Sequence, residues 1–165
     1  MDQNVYIVTR RCLTGVNEYH YFRGIHPIGD GAALVLPNFP VSIRGAGLSL
    51  RCEQEPGMTI FPGVTKPVTR EDNGEVFADI TWYEIGQHSL STGRETLLIR
   101  SCEGRYHFFR GGVLIARMGQ VGKVPDLMQP LEENWKPVLA MMPLEPVSTE
   151  LALLMLSFPL LQIAL

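Results

Sequence analysis

From Leu151 to Leu165, fifteen residues in a row carry no charged side chain, and this constrains the fold more than any other feature of the chain. Leu, Ala and Met dominate the stretch, and all three are good helix formers. Ser148 and Thr149 precede it as N-cap residues. Glu150 then falls in the first turn, where a carboxylate complements the helix dipole. On a helical projection the apolar residues lie all round, interrupted only by Ser157 and Gln162. A helix without a polar face has to be buried, in protein or in lipid. Fifteen residues fall short of the roughly twenty that span a bilayer. Pro159 removes a backbone donor and is expected to kink or divide the helix, and no Lys or Arg anchor follows it. Residues 148–165 are therefore expected to form an apolar helix packed in the core. A membrane anchor over 151–165 is the alternative.

The rest of the chain must supply the shell. Sixteen glycines and twelve prolines are scattered through most of the 165 residues, and they punctuate short segments in the manner of an all-β protein. Thr96–Cys102, Arg105–Arg110 and Val113–Met118 read as a three-stranded meander joined at Glu103-Gly104 and Gly111-Gly112. Glycine in two-residue loops accepts the positive φ that tight hairpins need. Asn73-Gly74 marks another turn, between Val68–Arg70 and a long strand over Glu75–Ile85. In that strand Val76, Ala78, Ile80, Trp82 and Glu84 share one face, and Phe77, Asp79, Thr81 and Tyr83 share the other. Asn4–Arg11, Glu18–Arg23, Ala32–Leu36, Val41–Arg44, Leu48–Cys52, Met58–Phe61 and Lys136–Met142 are further strands, with Gly29, Asp30 and Gly31 as a turn. A total of roughly ten or more short strands favours a closed antiparallel barrel, which leaves no long exposed edge. The expected architecture is one mostly-β domain over 1–165.

A small barrel of short strands with a very apolar C-terminal helix resembles the tubby-like superfamily. That group comprises the tubby C-terminal domain, the phospholipid scramblases and the plant LURP-one-related proteins. Leu97–Gly119, with its tight hairpins and the run Gly-Gly-Val-Leu-Ile-Ala-Arg-Met, carries the resemblance together with Glu150–Leu165. It implies a β-barrel wrapped around a central hydrophobic helix. It transfers no functional residue.

The residues that carry chemistry are sparse. No G-x-S-x-G elbow is present, and Cys102 with His107 across a tight turn is the nearest approach to a nucleophile–base pair. None of His20, His26, His88 and His107 has helical metal-ligand spacing. Tyr19-His20-Tyr21-Phe22-Arg23-Gly24 echoes Tyr106-His107-Phe108-Phe109-Arg110-Gly111. If the two hairpins were neighbours, His20 and His107 would form a pair able to hold a metal or sense pH. Glu71-Asp72 and Glu132-Glu133 are adjacent carboxylates of the kind that usually face water. Gly45-Ala46-Gly47 lacks the helix and lysine of a phosphate loop. Cys12, Cys52 and Cys102 are odd in number and widely spaced, which argues against disulfides and structural zinc and for three small buried hydrophobes.

A net charge of −3 offers no general attraction to nucleic acid, although a local basic patch is compatible with that total. Arg10-Arg11 is the only adjacent basic pair. Arg23 and Arg110 stand beside the aromatic residues of the echoed hexapeptides. Arg10, Arg11, His20, Arg23, His107 and Arg110 are therefore the candidate ligand-binding residues, and no cofactor or catalytic set is assigned. No secretion signal opens the chain, so a cytoplasmic protein, peripheral to membrane at most, is expected. The leading functional reading is a non-enzymatic binding or scaffold domain for a lipid headgroup, a membrane surface or a protein. A small hydrolase-like enzyme without a local motif and a membrane-tethered protein are the alternatives. A basic or apolar surface patch would favour the first, and a pocket of converging polar groups with shifted pKa values the second.

Overall fold

The structure is a computed structural model that describes residues 4–34, 40–53, 63, 65–121 and 135–161. Twelve strands precede one helix: β1 (Tyr6–Leu13), β2 (Val16–Arg23), β3 (His26–Leu34), β4 (Val41–Gly45), β5 (Leu48–Cys52), β6 (Thr65–Arg70), β7 (Val76–Glu84), β8 (Gln87–Thr92), β9 (Thr96–Cys102), β10 (Arg105–Arg110), β11 (Val113–Gln120), β12 (Lys136–Pro143) and α1 (Thr149–Leu161). Each strand is antiparallel to its sequence neighbours, and β1 pairs with β12 to close the barrel. Connections therefore alternate between two rims. Those after odd-numbered strands form an upper rim, and those after even-numbered strands form a lower rim. The helix enters at the lower rim after β12 and ends at the upper rim.

The expected strand over Glu75–Ile85 is β7 (Val76–Glu84), and β8 (Gln87–Thr92) is a strand that the sequence reading does not include. Residues beyond Tyr83 turn back at Gly86 (φ 77°) into β8, a polar strand of Gln, His, Ser and Thr whose alternation gives little hydrophobic signal. The meander from β9 to β11 is as expected. Glu103 and Gly104 both adopt positive φ (51° and 75°), the requirement of a type I′ hairpin. On β7, Ala78, Ile80 and Trp82 face the core while Val76, at the lower rim, is 57% exposed. The expected strand Met58–Phe61 and the pair Glu132-Glu133 lie outside the described residues.

One turn assignment is overturned. Gly29, Asp30 and Gly31 lie inside β3, not in a turn. The glycines are there for space. A Cβ on Gly29 would come 2.3 Å from the Arg44 carbonyl oxygen and 2.8 Å from Leu153 Cδ2. One on Gly31 would come 2.7 Å from the Tyr21 hydroxyl. Leu153 of α1 thus presses directly on the sheet where it has no side chain, a use of strand glycine that turn statistics do not register.

The helix fills the barrel. Ser148 Oγ accepts the Leu151 N–H at 3.1 Å, and the Ser148 carbonyl accepts the Ala152 N–H at 2.9 Å, so Ser148 is the N-cap. Every residue from Leu151 to Phe158 is buried. Pro159 neither ends nor divides the helix, which continues to Leu161. It sits in the last turn, so only the bond to the Met155 carbonyl is lost there. The inward residues of all twelve strands and α1 share one core that includes Tyr21, Ile43, Ile80, Ile99, Phe108 and Met141. Two polar contacts interrupt it. Ser157 Oγ donates to the Tyr21 hydroxyl at 2.9 Å, and the Lys66 amine, 2% exposed, donates to the Leu161 carbonyl at 3.4 Å.

The echoed hexapeptides take the same local form. Both contain a register shift after the third residue, at Tyr21/Phe22 and Phe108/Phe109. Both end in a left-handed glycine, Gly24 (φ 61°) and Gly111 (φ 55°). They are not neighbours, because β1, β12 and β11 separate β2 from β10.

Candidate functional site: a cationic face on the barrel exterior

The six candidate residues fall at three separate places. Arg23 and Arg110 end β2 and β10 at the lower rim. Arg23 lies 5.9 Å over the Tyr6 ring and donates to Asn4 Oδ1 at 3.4 Å. Arg110 is committed to Glu95 at 2.9 Å and to Glu145 at 3.6 Å. The neighbouring cavity of about 480 Å³ is lined by Arg70, Arg94 and Arg110, offset by Glu75, Glu95 and Glu150. Its charges largely neutralise one another. The hydrogen bond from Arg70 to Asp72 raises the pKa of that guanidinium. That is a solvated ion-pair rim rather than a catalytic cleft.

At the upper rim, Arg11 and His20 hold Trp135 between them. The His20 ring stacks on the indole at 3.8 Å, and the Arg11 guanidinium lies 4.6 Å from its centroid. Glu18 fixes Arg11 through a 2.6 Å ion pair. Arg10 sits one residue earlier and is exposed.

The third place is the outer wall of β9, β10 and β11, which carries His107. Antiparallel register sets His107 directly opposite Arg100 of β9 and opposite Arg117 of β11, and Arg117 is opposite Met142 of β12. Three basic side chains therefore cross three adjacent strands in one row. Arg105 stands two residues from His107 on the same strand, with Gly119 and Ala140 continuing its row. Between the two rows lies a groove of about 490 Å³, lined by Arg105, His107, Arg117, Gly119, Ala140 and Met142 and, among the described residues, by no carboxylate. Arg100, Arg105 and Arg117 form no ion pair with a described residue; the ion pairs among described residues use Arg11, Arg51, Arg70 and Arg110. Arg100 lies 5.4 Å over the Phe109 ring, which holds its guanidinium against the wall. Arg100 and Arg117 flank His107 from the two neighbouring strands, so two arginines lie close together on one wall.

The imbalance extends to half of the barrel. The six contiguous strands β9–β12, β1 and β2 and the turns between them carry eight described Arg and Lys residues against Glu18 and Glu103 alone. The other six, His26 to Glu95, carry five against eight described carboxylates. Among the described residues, charge is thus positive on one half of the barrel although the chain's net charge is −3.

Two chemical pairings allowed by the sequence do not form. Cys102 is opposite Arg105, and His107 is opposite Arg100. The thiol and the imidazole are thus diagonal neighbours, roughly 7–8 Å apart, beyond hydrogen-bond reach. His20 and His107 are three strands apart. No cluster of three His, Cys, Asp or Glu suited to a metal occurs among the described residues. The expectation of three buried thiols is also corrected. Cys52 is buried, but Cys12 and Cys102 are exposed, because each lies at the end of a strand where its hairpin projects into solvent. Sequence reasoning missed Arg100, Arg105 and Arg117. Their signal was present in the two-residue turns, which fix Arg100 opposite His107, but the bulge after Phe108 that brings Arg117 opposite His107 leaves no mark in composition. No family model matches this chain, and no curated protein or solved structure is significantly similar to it.

Proposed function

We propose that this protein is a non-enzymatic binding domain built on the tubby-like barrel plan, and that it docks through the outer wall of β9–β11 on an anionic membrane surface. The observation that carries this reading is the row Arg100–His107–Arg117 with Arg105 beside it, free of carboxylate partners among the described residues. Arginines gathered on one wall without carboxylate partners among the described residues attract a polyanion. A lipid surface supplies phosphates at a density that matches a broad, shallow groove better than a deep pocket would. Met142, 55% exposed beside Arg117, adds an apolar contact at the headgroup boundary. The enclosed helix argues against the anchor reading, since α1 is used to fill the barrel and no described helix is long and apolar enough to cross a membrane. The expected site of action is the cytoplasmic leaflet, whose anionic lipids attract basic surfaces at about 1 kcal/mol per Lys or Arg.

Liposome flotation tests the proposal. The protein is expected to float with vesicles containing phosphatidylserine, to stay at the bottom with neutral vesicles, and to be released by high salt. The double variant Arg100→Glu/Arg117→Glu changes only exposed side chains and is expected to abolish flotation. Equal flotation of the variant, or flotation with neutral vesicles that resists salt, overturns the proposal.

A further inference from the structure

A second cationic site lies on a different part of the molecule and rests on separate observations. Where β1 closes the barrel against β12, Arg10 is directly opposite Lys136. The two, with Arg11, Cys12 and Leu13, line a pocket of about 420 Å³ at the upper rim that contains no carboxylate among the described residues. The closing seam places two like charges face to face, an arrangement that destabilises a strand pair. The site is also partly pre-organised. Glu18 binds Arg11 through both Nη2 (2.6 Å) and Nε (3.2 Å). Trp135 covers the Arg11 guanidinium at 4.6 Å and is itself stacked on His20. Lys136 follows Trp135 in the chain, so the indole fixes the start of the strand that presents the amine. Holding side chains in place before a ligand arrives lowers the entropy lost on binding.

We infer that this seam pocket binds a phosphomonoester dianion, with Arg10, Arg11 and Lys136 as its ligands. Three cations around one small cavity suit a group of about two negative charges, and arginine offers a planar fork that fits phosphate oxygens. A monocarboxylate would leave most of that charge uncompensated. The cavity has room for the phosphate and a short attached group, in contrast to the open groove on β9–β11. The same headgroup chemistry is available from a soluble phosphomonoester or from a lipid ending in one, such as phosphatidic acid.

Trp135 serves as a reporter, because it touches Arg11 while Trp82, the only other tryptophan, is buried in the core. Tryptophan emission is titrated with glycerol phosphate at constant ionic strength, with sodium chloride as the control, and in parallel with vesicles containing phosphatidic acid. The expected result is a saturable change with at least one of the two phosphates, which Trp135→Phe removes. Half-saturation is expected to weaken about tenfold in Lys136→Met and in Arg10→Met, the loss of one charge-assisted contact. Response to glycerol phosphate identifies a soluble ligand, and response to the vesicles alone identifies a lipid. A response to neither, a response equal to that of chloride, or titrations unchanged in Lys136→Met and Arg10→Met overturns the inference. The Arg100→Glu/Arg117→Glu variant is expected to titrate like the unmodified protein, and Lys136→Met is expected to float like it, so each reading fails independently of the other.

Discussion

The two ends of α1 meet their surroundings differently. At the lower rim the first turn starts in an open mouth, capped by the Ser148 hydroxyl and ringed by arginine–carboxylate pairs in contact with water. At the upper rim the last turn is enclosed, and the amine of Lys66, 2% exposed, meets the Leu161 carbonyl. Both ends leave backbone groups without intrahelical partners and both carry half a unit of dipole charge. The lower end delegates that charge to solvent and to replaceable side chains. At the upper end, Lys66 of a neighbouring strand is a buried partner among the described residues. The same electrostatic task is therefore cheap at one rim and costly at the other.

Charge reversal at each end gives the sharpest test. Lys66→Glu places a carboxylate against the helix C-terminus inside the core, and the loss is expected to be about 3–5 kcal/mol, the scale for breaking a buried charged contact. A urea midpoint shifted no further than that of Glu150→Lys would make the two ends equivalent and break the comparison. The next effect in size is pH-dependent. His88 is buried between Trp82, whose ring is 5.5 Å away, and Phe158 at 5.2 Å. Burial pushes its pKa from 6.5 down to about 4. The folded state therefore resists protonation that the unfolded chain accepts. This contribution is complete above pH 6.5, is lost as pH falls from there, and levels off near pH 4. The slope is at most about 1.4 kcal/mol per pH unit. A His88→Phe variant whose stability follows the same profile between pH 7 and pH 4 would remove His88 from the account. The smallest effects belong to the lower rim: Ser148→Ala is expected to cost about 1 kcal/mol, and Glu150→Lys less than about 1 kcal/mol, shrinking further in salt. Losses comparable to that of Lys66→Glu would mean that the mouth is more tightly built than its exposed side chains imply.

What could be read in advance follows the same division. The helix and its cap were legible because a charge-free run from Leu151, preceded by Ser148 and Glu150, admits few other folds. The meander from β9 to β11 was legible because its two turns need residues that tolerate positive φ. Features that depend on contact between distant segments were not. Gly29 and Gly31 look like turn residues until Leu153 and Tyr21 are placed beside them. Lys66 looks like any strand lysine until the end of the helix arrives above it. The candidate site divides likewise. His107 was singled out, but by analogy with His20, which lies three strands away. Its actual neighbours, Arg100 and Arg117, are fixed by register and by one bulge. Arg10 and Arg11 were visible as an adjacent pair, while Lys136, more than a hundred residues later, joins them only when the barrel closes.

The position of α1 after all twelve strands has a consequence for how the protein is made. The strands emerge from the ribosome before the element they enclose. Until Leu151–Leu161 is synthesised, inward side chains such as Ile80, Ile99 and Phe108 have nothing to pack against. The seam between β1 and β12 also joins segments far apart in sequence, a slow contact to form. A nascent chain stalled before Thr149 would present a hollow, apolar interior, the kind of surface that chaperones and proteases bind. Completion of α1 thus doubles as a check on completion of the barrel.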